Sequence, residues 1–473
     1  MHPLTTTDYL VIGSGATGLA FTDALIAETS DVTVTIVDLH GRPGGHWNDA
    51  YPFVALHQPS AFYGVNSMPL GSGALDVQGP NAGMFELASG AEVVGYFDMV
   101  MRQRLLASGR VSYLPMTEYL GGGRLRSVLT GESIELKARR RVVDARYCAP
   151  SVPATHQRKF EVAPAARVVT PGSLAQLGLA PGDPPRHFAI LGAGKTAMDV
   201  GVWLLDAGVP ASRITWVLPR DSWLVNRRTT QPGMAFFHQA IGAQAALMQA
   251  CSQAQSVDDL FLRLESVGSM LRIDGDVTPA MFHYATISQG EVDLLRQIRD
   301  VVRLGRVQAV EERALHLVGG LREMPTGTLY VDCTASAVDP RPMVPVFQPG
   351  LIVPQMVRVP QPAFSAALIA HVEARAHDDE RRNELCRPVP FPDSPGAYPQ
   401  TLLANLRNEA TWGKDADLRE WIIASRLDGF RKTVAAVQPD DKDKLRVLGA
   451  IREHTPAAVD NLQRLVAASG QSC

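Results

Sequence analysis

The chain has 473 residues, 46% of them hydrophobic, and a formal net charge of −3. That length suits two or three domains, and the nearly balanced charge gives no field that would gather nucleic acid or anionic lipid. No apolar run is long enough to span a bilayer, and the N-terminus reaches Thr5-Thr6-Thr7-Asp8 without a charged-then-apolar leader, so the sequence places the protein in the cytoplasm.

Residues 8–12 form a short β-rich run that enters the loop Gly13-Ser14-Gly15-Ala16-Thr17-Gly18. Residues 19–27 continue as a helix, and 32–37 alternate branched residues as a parallel strand does. This strand, loop, helix, strand order gives the glycines meaning. Gly13 permits the tight turn, Gly15 lets a pyrophosphate approach the backbone, and Gly18 lets the helix pack close to the strand. The phosphates would then sit on unpaired N–H groups at the helix N-terminus. Asp38 follows about 20 residues past the loop, where a carboxylate accepts hydrogen bonds from ribose hydroxyls and repels a 2′-phosphate. It suits the adenosine of FAD or NAD.

After a Gly/Pro-rich stretch over 41–90, residues 92–107 read as helix. Residues 110–146 read as short strands of an antiparallel meander inserted in the first nucleotide domain, broken by Gly121-Gly122-Gly123 and Gly131. Residues 171–185 are a loop. A second nucleotide fold begins at 188–191 and runs through Gly192-Ala193-Gly194-Lys195-Thr196-Ala197, where Ala197 is a permitted third position. Its helix covers 196–205, the next strand 214–218, and then comes Arg220, with no acid at the strand end. A guanidinium there can form a bidentate pair with a 2′-phosphate, so NADPH is favoured over NADH. The adjacent Asp221 tempers that preference. Arg227 and Arg228 either assist or belong to a solvated basic loop. Lys195 and Thr196 either reach the pyrophosphate of NADPH or face solvent.

Residues 234–299 read as a helical insertion, with Ser256 as an N-cap before 257–271; strands resume at 301–304, 307–310 and 329–332. Five prolines over 387–399 mark a linker, and 417–437 and 443–468 have helical periodicity. The fold class is therefore α/β, with two Rossmann-like dinucleotide-binding domains for FAD and NAD(P), an antiparallel meander and helical insertions. The first part of the FAD-binding domain spans 1–165. The NADPH-binding domain spans 166–322, with its helical insertion at about 234–299. A return segment of the FAD domain covers 323–386, and a helical tail 387–473. Two such folds imply a flavin taking electrons from a nicotinamide, whose rings must meet.

The five cysteines, Cys148, Cys251, Cys333, Cys386 and Cys473, are scattered and never form Cys-x-x-Cys. That argues against a disulfide framework, a zinc site and a dithiol relay.

With these residues in place, the chain resembles the flavin-containing monooxygenase group of two-nucleotide-domain flavoproteins. The first loop with Asp38 is similar to that group's FAD loop. Gly44-Gly45-His46-Trp47 resembles its Gly-Gly-x-Trp segment, which places Gly45, His46 and Trp47 beside FAD. The stretch from Gln58 to Ser67 resembles the one that holds the family's active-site asparagine, here Asn66, with Gln58 counted among the cofactor contacts. The second loop with residues 217–223 resembles the NADPH half. The resemblance implies that NADPH reduces FAD, that molecular oxygen reacts with the flavin, and that one oxygen atom passes to a small molecule. An amine or sulfide is favoured and a ketone is open. His57 and His46 could donate protons or merely satisfy backbone carbonyls, and Trp47 could flank the flavin ring or simply fill the core.

Two stretches depart from the group. Its signature between the nucleotide domains begins Phe-x-Gly and ends on a histidine, whereas here Phe160 leads to Val162, Ala166 and Arg167. Its Ala-Thr-Gly strand end reads Asp144-Ala145-Arg146-Tyr147. The chain is thus expected to be a divergent member. An NAD(P)H:acceptor oxidoreductase without oxygen transfer is the alternative, and a nucleotide-binding sensor without chemistry a third. The helical insertion is the expected substrate cover, and a homodimer is left open.

Overall fold

The computed structural model describes residues 6–179, 183–336, 341–375 and 378–468; Cys473 lies outside them. Its two main sheets are built alike. In the first, the strands run in the order Phe347–Gln348, Leu351–Ile352, Lys137–Asp144, Thr6–Ile12, Val34–Val37, Val111–Leu114. All neighbours are parallel except the Phe347–Gln348 pair. Alternate residues of a strand point to opposite faces, and both faces are covered here. Tyr9, Val11, Val34 and Ile36 pack under the helices Ala16–Glu28 and Pro362–Ala374. Leu10, Ile12 and Val37 pack against Leu125 of a small antiparallel sheet and Leu136 just after it. Burial on both sides is why these strands read as continuous apolar runs.

The second sheet runs Asp300–Val302, Ile214–Val217, His187–Leu191, Thr328–Asp332, Arg167–Val169, all parallel. Phe188 and Ile190 face Ala197, Met198 and Leu204 of the helix Lys195–Asp206. Ala189 and Leu191 face Val310, Leu315 and Leu317 of a second small sheet. Each half is a parallel sheet between helices and an antiparallel flap.

Several expectations are corrected. Within 110–146, only Thr117–Gly121, Arg124–Ser127 and Ser133–Glu135 form the meander. Val111–Leu114 and Lys137–Asp144 belong to the parallel sheet, because their residues pair with Val34–Val37 and Thr6–Ile12. The insertion over 234–299 is not wholly helical. After the helices Phe237–Gln253 and Val257–Ser266, the strands Met270–Leu271 and Met281–Ile287 flank Ser222–Asn226. Ser256 does cap its helix, accepting from the Asp259 amide. The strand Thr328–Asp332 pairs with His187–Leu191 in the second sheet, so the return to the first sheet comes with the hairpin Phe347–Gln348 and Leu351–Ile352 rather than at 323. The tail is integrated with both halves. Trp412, Leu418, Ile422 and Leu427 enter the first core, while the helix Lys442–Ala468 lies along Phe237–Gln253.

Candidate functional site

Both glycine loops open a helix at the C-terminal edge of their sheet, and Gly15 and Gly194 occupy the N-cap positions without any side-chain cap. Neither helix has an acid in its first turn. By contrast, Ser89, Ser256, Ser288, Asp378 and Asp415 cap their helices with side-chain oxygens. A helix start left with free amides and no acid suits an anion. This donor set fits a dinucleotide pyrophosphate at each loop.

In the first loop, a Cβ on Gly18 would lie 2.0 Å from the Gly13 carbonyl oxygen, so only glycine lets the helix sit this close to the strand. The Gly44 amide donates to the Ser14 carbonyl at 2.9 Å, which fastens the Gly44–Trp47 segment onto the loop. Gly45 lies against Gly15. Trp47 donates through Nε1 to the Tyr63 hydroxyl at 2.7 Å and packs at the edge of the first core; His46 lies beside it, ring centroids 5.2 Å apart. Burial pushes the His46 imidazole down to about 4.

Asp38 is buried at the end of Val34–Val37. One of its oxygens accepts from the Ser14 amide and, at 2.8 Å, from the Ser14 hydroxyl. The other accepts from the His40 amide at 2.8 Å and contacts the His40 ring at 2.9 Å. His40 bridges on to Asp49 at 2.8 Å. Burial opposes charge on His40, yet the hydrogen bonds to Asp49 and Asp38 hold its pKa above the ordinary value. Two carboxylates around one imidazole keep this corner net negative whether or not the ring is protonated, which disfavours a 2′-phosphate.

The second loop is read differently. A Cβ on Gly192 would meet the Cys333 carbonyl oxygen at 2.5 Å, whereas one on Gly194 would meet no protein atom within 4 Å. Trp216, wholly buried, donates to the Gly192 carbonyl at 2.8 Å and fixes the turn. Arg220 is exposed and has no hydrogen bond or ion pair among the described residues. Asp221 is buried and paired with both arms of Arg303, at 2.8 and 3.0 Å. Its charge is thus matched by Arg303.

Lys195, Arg227 and His57 are drawn into one cluster between the halves. The Lys195 ammonium is ion-paired with Asp199 and lies 3.5 Å from Glu291, so its charge is matched inside the protein. Tyr51 donates to Asp199 at 2.7 Å, and Thr196 lies beside Tyr51. Arg227, buried, is no solvated loop residue. It pairs with Glu291 and Asn81 and donates to the His57 carbonyl at 2.9 Å. Burial, with Lys195 adding to it, holds the His57 imidazole at about 4. His57 is therefore neutral at pH 7 and a poor stored acid. Burial works against charge on Glu291 too, but Lys195 and Arg227 outweigh it and hold its carboxyl at about 2.

Gln58 is half-buried beside this cluster. Asn66 is also half-buried, and its Oδ1 accepts from the Ser425 hydroxyl of the tail at 2.9 Å. A cavity of about 320 Å³ opens beyond the Lys137–Asp144 strand end, lined by Tyr147, Cys148, Met356, Phe391 and, from the insertion, His283. Arg146 turns back to pair with Asp144 and lies over Gly13. Of the insertion's apolar residues, Phe237 and Met248 are buried, Met248 in a core shared with the tail. Among the described residues no cluster could hold a metal ion, and no helix is long and apolar enough to cross a membrane.

Sequence had pointed to the loops, Asp38 and Arg220. It missed Trp216, Arg303, Glu291 and Ser425, none of which sits in a motif; the one available cue was a tryptophan in the otherwise β-branched run Ile214-Thr215-Trp216-Val217.

Two Rossmann-like units facing each other define the class: residues 11–67 match the model of an NAD(P)-binding Rossmann-like domain. The chain is 44% identical over 463 residues to the uncharacterized protein Rv2000 of Mycobacterium tuberculosis and to the uncharacterized protein Mb2023 of Mycobacterium bovis, covering 98% of this chain and 85% of each relative. It belongs to one family with them. Among solved structures it is similar to an open form of cyclohexanone monooxygenase, with TM-score 0.47, 12% identity, and 96% and 99% of the two chains covered. It is also similar to a flavin-containing monooxygenase from Stenotrophomonas maltophilia, with TM-score 0.43, 14% identity, and 79% and 98% covered.

Proposed function

We propose that this protein is an FAD-dependent, NADPH-consuming monooxygenase acting on a small amine or sulfide, with a ketone as the next substrate class. The observation that carries this reading is the opposite chemistry at the two strand ends, a buried carboxylate network at Asp38 and, at Arg220, an exposed guanidinium without a partner among the described residues. The net reaction balances as NADPH, a proton, dioxygen and substrate giving NADP⁺, water and the oxygenated substrate. FAD, when bound, would supply the hydride acceptor and the centre that reacts with dioxygen.

The chain's own residues would do the rest. The free amides after Gly15 and Gly194 would bind the two pyrophosphates, Asp38 the adenosine ribose of FAD, and Arg220 the 2′-phosphate of NADPH. Gly45, Trp47 and Gln58 would flank the flavin side, and the apolar cavity beside Met356 and Phe391 would admit substrate while limiting water. His57, neutral, would accept a proton rather than store one, and Asn66 would donate through its amide nitrogen without acting as an acid. NADPH consumption agrees with a cytoplasmic protein.

The missing Phe-x-Gly…His signature favours a second reading, an NAD(P)H:acceptor oxidoreductase. Incubation with FAD, NADPH, ¹⁸O₂ and a panel of amines, sulfides and ketones separates them. One ¹⁸O atom in a product is the expected result. NADPH consumed with one hydrogen peroxide each and no oxygenated product would establish the second reading, and failure to retain FAD would overturn both.

A further inference from the structure

The tail turn between the helices Ala416–Ala424 and Arg431–Ala435 grips the segment that carries Asn66. Arg426 donates to the carbonyls of Ala61 and Tyr63, each at 2.7 Å, and to that of Val65. One guanidinium thus reads alternate carbonyls of the same segment. On the far side of Asn66, the Ser67 amide and hydroxyl both donate to Asp23 of the first Rossmann helix, the amide at 2.9 Å. Asn66 sits between these two anchors.

The turn itself is fixed. Asp428, buried, pairs with Arg358 at 2.7 Å. A Cβ on Gly429 would lie 1.8 Å from the Phe62 ring, and Phe430 packs against the same ring. Arg426 has no carboxylate within ion-pair distance among the described residues, and its buried Nε has no partner. Burial lowers its pKa. The half-buried guanidinium is met by three carbonyls and, at 3.4 Å, the Tyr96 hydroxyl rather than by a carboxylate, an arrangement costly for stability alone.

We propose that Ser425 and Arg426 are positioning residues that lock residues 59–67 and aim the Asn66 amide, Ser425 engaging its oxygen so that its N–H groups face the flavin side. The two amide N–H groups of Asn66 have no acceptor among the described residues, whereas its oxygen is held. This inference rests on the reading of Asn66 as the amide that faces the flavin.

The test uses Asn66→Ala, Ser425→Ala, Ser425→Thr and Arg426→Lys in the full chain. In protein without FAD, amide hydrogen exchange over 60–67 is expected to quicken at least tenfold in Arg426→Lys, with the helix Ala16–Glu28 unchanged. In FAD-loaded protein reduced by NADPH and mixed with oxygen, Ser425→Ala is expected to release peroxide at least threefold faster than wild type, approaching Asn66→Ala. Ser425→Thr, which keeps the hydroxyl, should restore the wild-type rate. Unchanged exchange in Arg426→Lys overturns the lock. A wild-type peroxide rate in Ser425→Ala, with Asn66→Ala fast, overturns the aiming while sparing the reading of Asn66. A wild-type rate in Asn66→Ala overturns that reading and the aiming with it, and the exchange result then decides the lock alone.

Discussion

The two glycine loops share a turn, an uncapped helix and a covering flap, yet the first ends on a carboxylate sealed in hydrogen bonds and the second on an arginine open to solvent. The first loop is fastened to the segments around it. Gly44 is bonded to it, Gly45 lies against Gly15, and Asp38 is bonded from Ser14 and His40. In the second, Gly194 is exposed and Arg220 has no hydrogen bond or ion pair among the described residues. A tightly held flavin and a nicotinamide that comes and goes would require this asymmetry.

The sharpest way to break the comparison is to add one methyl group to each loop. Gly18→Ala drives a Cβ into a backbone oxygen and is expected to cost about 1–3 kcal/mol or more, with loss of retained FAD. Gly194→Ala should leave stability within about 0.5 kcal/mol and weaken only NADPH. Denaturant titration and flavin absorbance measure both; equal destabilisation would erase the distinction.

Next in size, Arg220→Ala is expected to raise KM for NADPH about 10- to 100-fold, the range for charge-assisted hydrogen bonds, with KM for NADH unchanged. Steady-state kinetics with the two coenzymes decide this, and equal losses would remove Arg220 as the reader of the 2′-phosphate.

The smallest effect concerns His40, for which the second loop has no counterpart. Its folded pKa is raised, so its contribution to stability is complete below about pH 6.5, the unfolded value, and fades as pH rises through the folded one. Unfolding midpoints between pH 5.5 and 8.5 should therefore fall more steeply in wild type than in His40→Gln. Parallel curves would mean that the Asp38–His40–Asp49 bridge carries no charge.

What could be seen in the sequence was local. Gly13 to Asp38 and Gly192 to Arg220 lie within single strand–helix–strand units, where spacing alone sets geometry. What escaped was long-range. Ser425 meets Asn66 across 359 positions and Arg303 meets Asp221 across 82, and no periodicity encodes such meetings. Arg227 was ambiguous because its partner Glu291 sits in a different element, and Lys195 because, besides Asp199 in its own helix, it meets the same Glu291. The strand Met281–Ile287 hid inside a helical stretch because its register shifts opposite Trp223 and Val225, and Tyr284 adopts a positive φ, which together break the alternation a strand would display.

Arg227 has one further consequence. A single buried guanidinium ties Glu291 in one half of the molecule to the His57 carbonyl and Asn81 in the other. Rocking of the halves would leave Arg227 paired with Glu291 but cost it the hydrogen bonds to His57 and Asn81, each worth about 1.5–3 kcal/mol for a bond to a charged group. If the proposed coenzyme shifts during turnover, that tie would favour movement of the coenzyme over movement of one half against the other.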